Sequence, residues 1–164
     1  MKKFIIFDSS TLILLAKISL LRDVTIKAKC IITSIVEEEC ARKDTYDSKL
    51  IRELIKEGLL KIVHAKPKEF AKIKEDFNIQ EGEASSLALA IKENCILATD
   101  DKPTMKACII LNIDFSTAIH FVVRAYKRGL IDKSTALEKL SNLEEYGRYE
   151  PRIIEDAKKR IEGE

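Results

Sequence analysis

Phe4-Ile5-Ile6-Phe7 is an uninterrupted apolar run that stops at Asp8. Four apolar residues with no polar alternation fit a strand covered on both faces, and such strands belong to parallel sheets packed between layers of helix. Residues 95–98, Cys-Ile-Leu-Ala, repeat the pattern and stop at Thr99-Asp100-Asp101. Further strands are expected at 30–33 and 59–64, with a last short one within 109–115. Between them lie segments of helical periodicity. One spans 12–21 behind the capping residues Ser9, Ser10 and Thr11; another spans 35–42 behind Ser34, whose spacing to Glu37 reads as a capping box. Further helices are expected at 46–58 with Gly58 as the stop, 67–77, 82–93 and about 103–108. Three more, at 117–128, 133–146 and 151–161, are separated by Gly129 and Gly147. Strands alternating with helices imply an α/β chain: a three-layer αβα sandwich around a central, mainly parallel sheet, with extra C-terminal helices.

Length and composition fit one domain over 1–164, with 117–164 as its C-terminal helical extension. A chain of 164 residues with 46% hydrophobic content and only three prolines and five glycines can bury roughly 70% of its unfolded surface without a disulfide or structural metal. Cys30, Cys40, Cys95 and Cys108 lack the paired spacing of a zinc or redox site and are expected as buried free thiols in a reducing compartment. Met1-Lys2-Lys3 before an apolar stretch imitates a signal peptide, but Asp8, Ser9, Ser10 and Thr11 interrupt it. No run approaches the roughly 18 apolar residues that cross a bilayer. A cytoplasmic protein is therefore expected. Net charge is +2 with 34% charged residues, so charge alone names no partner.

Strand ends are where ligands bind in parallel sheets, and here two of them carry carboxylates. An isolated Asp at such a place is as readily a helix cap. The ordered set says more: Ile5-Ile6-Phe7-Asp8-Ser9-Ser10, then Val36-Glu37-Glu38-Glu39, then Gly82-Glu83-Ala84-Ser85 through Leu89-Ala90, then Leu97-Ala98-Thr99-Asp100-Asp101. In these motifs, over about residues 4–116, the chain resembles a PIN domain of the compact archaeal and bacterial form.

The resemblance implies metal ligands at Asp8, Glu39, Glu83 and one or both of Asp100 and Asp101, with Ser10 as the small polar residue supporting the first acid and Thr99 supporting the fourth. The family's second motif, an apolar residue followed three positions later by the acid, selects Glu39. In the fourth motif, Thr-x-Asp selects Asp101, while a variant with an Asp pair admits Asp100. Alternation along an extended strand end lets only one of the two face a metal, leaving the other to cap the next helix. Asp101 is the expected ligand and Asp100 the expected cap.

Carboxylates crowded into one cleft repel, so cations are needed to neutralise them. An all-oxygen donor set favours Mg²⁺ or Mn²⁺ over Zn²⁺. Such an ion polarises a phosphate and activates water, which makes phosphodiester hydrolysis the natural reaction. The resemblance implies an RNA substrate, the toxin role of a toxin–antitoxin pair with an antitoxin partner, and a homodimer. The apolar residues Ala118, Ile119, Phe121, Val122 and Val123 exceed what one helical face usually buries, which adds to the expectation of a dimer. Alternatives are an RNA-processing nuclease outside a toxin pair and a catalytically silent RNA- or protein-binding module. Candidate phosphate contacts are Lys102, Lys106, Arg124, Lys127, Arg128, Arg148 and Arg152. His64 and His120 are expected to be non-catalytic. A haloacid-dehalogenase-type phosphatase needs a second Asp where Ser10 stands, and no phosphate-binding glycine loop is present.

Overall fold

A computed structural model of the chain describes residues 4–147 and 149–163. The lead Met1-Lys2-Lys3 and the candidate contact Arg148 lie outside the described residues. Strands β1 (Ile5–Phe7), β2 (Cys30–Thr33), β3 (Leu60–Val63), β4 (Ile96–Ala98) and β5 (Phe115–Ser116) form one parallel sheet in the order β3-β2-β1-β4-β5. Its faces are built by strict alternation. Ile5, Phe7, Cys30, Ile32 and Ala98 point into one core and Ile6, Ile31 and Leu97 into the other.

On the first face pack α1 (Ser9–Lys17), α2 (Leu21–Lys27), α4 (Tyr46–Lys56), α8 (Ala118–Lys127), α9 (Lys133–Gly147) and α10 (Pro151–Glu162). On the second lie α5 (Pro67–Phe77), α6 (Glu81–Glu93) and α7 (Lys102–Leu111), while α3 (Ser34–Ala41) contributes to both cores through Val36 and Ile35. This is the expected three-layer αβα sandwich. Leu140 and Leu143 of α9 and Ile154 and Ile161 of α10 share the core of Phe7 and Leu12, so the C-terminal helices complete the layer over the sheet. The four cysteines are buried free thiols. Among the described residues no helix is long and apolar enough to cross a membrane.

Four local expectations need correction. The helix expected at 12–21 is broken: α1 ends at Lys17 with Ile18 as its C-cap, Ser19 takes φ +59°, and α2 begins two residues after Ser19. No glycine or proline marks the break; Lys139 of α9 compensates it by donating to the Ile18 carbonyl at 2.6 Å. Ser34 is not a helix cap. Thr33 accepts from the Val36 amide at 3.2 Å, and Ser34 Oγ instead accepts from the Ala65 amide at 3.0 Å, tying α3 to the end of β3. The strand expected within 109–115 shrinks to β5, because α7 continues through Leu111 and leaves Ile109 and Ile110 on the surface. Finally, the apolar residues of α8 are buried within this chain, under α9 and α10. They offer no free surface to a second copy.

Candidate active site

The chain order reverses between β1 and β4: β2 and β3 extend the sheet on one side, β4 and β5 on the other. At such a switch point the loops leaving the two strands diverge and open a crevice at their carboxyl ends. Asp8 follows β1 and Asp100-Asp101 follow β4, with the Asp8 amide donating to the Ala98 carbonyl at 3.1 Å.

Asp8 is fully buried. It is itself the N-cap of α1, in place of the serines and threonine expected there, and accepts from the Thr11 amide at 3.3 Å. Ser10 Oγ donates to its Oδ1 at 2.6 Å, and Thr99 Oγ1 donates to Oδ2. Ser10 Oγ also accepts from the Asp100 amide at 3.0 Å, and Thr99 Oγ1 from the Asp101 amide at 3.2 Å. Two hydroxyls thereby fasten the first acid to the backbone of the fourth motif.

Glu39 comes from α3 and is held by Ser9 Oγ, which donates to its Oε2 at 3.0 Å. Its carboxylate rests against Gly82 in the first turn of α6, where a Cβ would stand 2.8 Å from the Glu39 carboxyl carbon. The glycine makes the room, and the amino end of α6 favours negative charge there. Helix α6 is pinned to the sheet by Ser85, which shares a 2.8 Å hydrogen bond with Thr33, while Ser85 and Ser86 both donate to the Gly82 carbonyl. Glu83, one residue on, is half-buried, and its Oε2 is buried with no hydrogen-bond partner among the described residues.

The two aspartates of the fourth motif have separate surroundings, and the expected division between them is partly reversed. Asp101, not Asp100, caps the next helix: its Oδ2 accepts from the Thr104 amide at 3.2 Å and the Thr104 hydroxyl at 2.6 Å. Asp101 is also close enough to Glu83 for its charge to be felt there. Asp100 Oδ2 accepts from Thr11 Oγ1 at 2.6 Å and from the Ala118 amide at 3.1 Å, while Oδ1 accepts from the Tyr149 hydroxyl.

Burial pushes the Asp8 carboxyl up to about 7, against the pull of Ser10, Thr99 and the Thr11 amide and with a further push from Glu83. Burial likewise raises Glu83, and the charges of Asp101 and Glu39 add to it. Asp100 is raised by burial, opposed by its bonds to Thr11, Tyr149 and Ala118. Glu83 is thus the common neighbour of Asp8, Glu39 and Asp101. Among the described residues, no group of three or more His, Cys, Asp or Glu side chains is placed to hold an ion as the side chains stand. The oxygen-only donors and the partnerless Glu83 Oε2 nonetheless suit a hard divalent cation, with rotation of the carboxylates to meet it.

A family model described as a PIN domain matches residues 4–162. The chain belongs to the PIN-domain family. No curated protein matches it. The PIN fold is a nuclease-type fold, and PIN nucleases typically use divalent metals. The matched span includes the C-terminal helices as well as the four motifs. Within this PIN domain only some of the candidate cations stand near the acids. Lys102 directly follows Asp101 and is exposed, as is Lys106 one turn on. Arg128, by contrast, lies with Lys29 and Leu59 at the amino-terminal ends of the strands, the opposite edge of the sheet. Arg124 packs over the Phe121 ring and reaches Ser116 at 3.4 Å. Lys127 and Arg152 are exposed. His120 Nδ1 accepts from the Thr117 amide at 3.0 Å, a capping role, and His64 is exposed beyond β3.

Sequence reasoning missed Ser9, Gly82 and Tyr149. Gly82 had a visible signal, a glycine in the first turn of a helix beside a motif acid. Tyr149 had none, because its partner lies 49 positions away.

Proposed function

We propose that this PIN domain is a divalent-cation-dependent endoribonuclease that hydrolyses RNA phosphodiester bonds, with Asp8, Glu39, Glu83 and Asp101 holding Mg²⁺ or Mn²⁺. The observation that carries the reading is the buried Glu83 Oε2, without a hydrogen-bond partner among the described residues, where the charges of Asp101 and Glu39 raise the proton affinity of Glu83 and that of Glu83 raises Asp8. Bound there, a divalent ion supplies charge neutralisation, a Lewis acid for the phosphate and activation of the attacking water. The chain's own residues position the donors. Ser10 and Thr99 orient Asp8, Ser9 holds Glu39, and Gly82 leaves it space. Asp100, the alternative fourth ligand, has both oxygens engaged by protein donors, and we assign it to holding the site together. Lys102 is the nearest candidate for a phosphate contact.

Within this reading the chain acts in the cytoplasm as the toxin of a toxin–antitoxin pair, restrained by an antitoxin protein and working as a homodimer. The family supports the role. One apolar surface available to a second copy is on α7, where Ile109 and Ile110 are 69% and 71% exposed. Light scattering tests the dimer, and growth arrest on expression tests the toxin role.

The test of the activity is cleavage of single-stranded RNA by the purified chain with Mg²⁺ or Mn²⁺ and its loss in chelator. The second reading, a silent RNA- or protein-binding module, is favoured by the absence of an enclosing ligand group among the described residues. RNA bound but uncut with either ion decides for it. An RNA-processing nuclease outside a toxin pair would cut RNA without arresting growth.

A further inference from the structure

Beside the acidic crevice, on the side of β5, lies a cavity of about 330 Å³ between α7, the start of α8 and α10. Its lining is apolar in part, with the rings of Phe115, His120 and Tyr149 and the side chain of Ile153, and it includes Lys102. We propose that this cavity binds one unpaired base of an RNA strand whose neighbouring phosphate lies at the carboxylates. The inference rests on the ribonuclease reading and names a substrate subsite for it.

Three observations carry it. First, the cavity is continuous with the site. Asp100, which forms part of its wall, and Lys102 flank Asp101 in sequence, so a strand crossing the crevice passes the cavity within one or two residues of chain. Second, its chemistry suits a nucleobase. Aromatic faces stack on bases of any identity, and single-stranded RNA is recognised by splaying bases onto such rings. With Nδ1 occupied by the Thr117 amide, His120 keeps Nε2 for a base edge. The volume is at the small end of ligand pockets, about 300 to 1,000 Å³. Third, two of the three acids in the wall are answered by donors, and the third, Glu150, is exposed to solvent. Asp100 is answered by donors from Thr11, Ala118 and Tyr149, Asp156 is paired with Arg160 at 3.2 Å, and Lys102 offers a positive charge to the backbone. Tyr149, Ile153 and Arg160 come from α10 and the turn before it, so the cavity exists because the C-terminal helices do.

The test is binding of a fluorescein-labelled hexaribonucleotide to the full chain in Ca²⁺, followed by anisotropy, with each position in turn made abasic. One abasic position is expected to weaken binding about tenfold or more, as loss of one stacked base does. Ile153→Trp, which fills the cavity from an exposed position, is expected to weaken the intact oligonucleotide by a similar factor and to abolish the abasic penalty. A flat abasic scan on the unmodified chain, or no RNA binding at all, overturns the inference, as does unchanged binding by Ile153→Trp with unaltered melting. Cleavage of the same RNA in Mg²⁺ separates the two readings. Cleavage with a flat scan removes the base site and keeps the nuclease; a position-specific penalty without cleavage keeps the base site and removes the nuclease.

Discussion

Replacing Gly82 with alanine should make the protein no less stable while impairing it as a nuclease, and the two effects have separate physical origins. Gly82 lies in the first turn of α6 with helical backbone, so alanine fits its dihedrals. Removing a helical glycine is worth up to about 1 kcal/mol. Against this, the new Cβ would stand 2.8 Å from the Glu39 carboxyl carbon and 2.9 Å from its Oε2. That group is the far end of a flexible side chain held by one hydrogen bond from Ser9. Turning it out loses one bond, about 0.5–1.5 kcal/mol. The two terms nearly cancel, so the melting temperature should move by no more than about 4 °C. The displaced carboxylate is a proposed cation ligand, and its loss should weaken Mn²⁺ binding and RNA cleavage by about 10- to 100-fold. Differential scanning calorimetry, Mn²⁺ titration and a cleavage assay read the three quantities. Gly82→Ala with full metal affinity and activity would refute the assignment of Glu39, and a loss of more than about 3 kcal/mol would show that the carboxylate cannot yield as argued.

Asp8 makes the metal-free protein sensitive to pH. Its carboxyl is raised to about 7 in the folded chain, so the folded state holds that proton more tightly than the unfolded one. This contribution to stability is full below about pH 4 and is lost as pH rises to about 7, on the order of a few kcal/mol. In chelator the melting temperature should fall over that range, Asp8→Asn should flatten the decline, and divalent cation should restore stability above pH 7. A decline that Asp8→Asn leaves unchanged would assign it to other groups. The fourth-motif pair should separate by function: Asp101→Asn keeps the cap of α7 and loses cleavage, whereas Asp101→Ala also costs about 1 kcal/mol. Asp100→Ala strands Thr11, Ala118 and Tyr149 without their acceptor and should cost about 2–3 kcal/mol, roughly 5–10 °C in melting temperature. If Asp100→Asn abolishes cation binding while Asp101→Asn does not, the two roles are exchanged.

Where residues carry local periodicity, the sequence is a sufficient guide. The apolar runs ending at Asp8 and at Thr99 state both the strands and the layer structure, because a strand with no polar alternation must be covered twice. The break at Ser19 was hidden, since Ile18, Leu20 and Leu21 continue the apolar pattern through it and the Lys139 that caps the exposed carbonyls comes from a helix 120 positions on. Ile109 and Ile110 misled in the opposite sense: two adjacent branched residues read as strand, yet they are the exposed end of α7. In the site, the four acidic motifs are legible from their order along the chain, but the separate environments of Asp100 and Asp101 are not. Those depend on Thr11, Ala118 and Tyr149, contacts set by packing rather than by neighbours in sequence.

The central claim, that carboxylates around Glu83 hold a divalent cation that cuts RNA, is tested most directly by titrating Mn²⁺ into the protein at pH 7.5. Free ion is followed by electron paramagnetic resonance, with cleavage of a labelled single-stranded RNA measured in the same samples for the unmodified chain and Glu83→Gln. The account predicts saturable Mn²⁺ binding that tracks cleavage in the unmodified chain, and loss of both in a folded Glu83→Gln. Cleavage that persists in chelator, or Glu83→Gln binding Mn²⁺ and cutting RNA as the unmodified chain does, would contradict it.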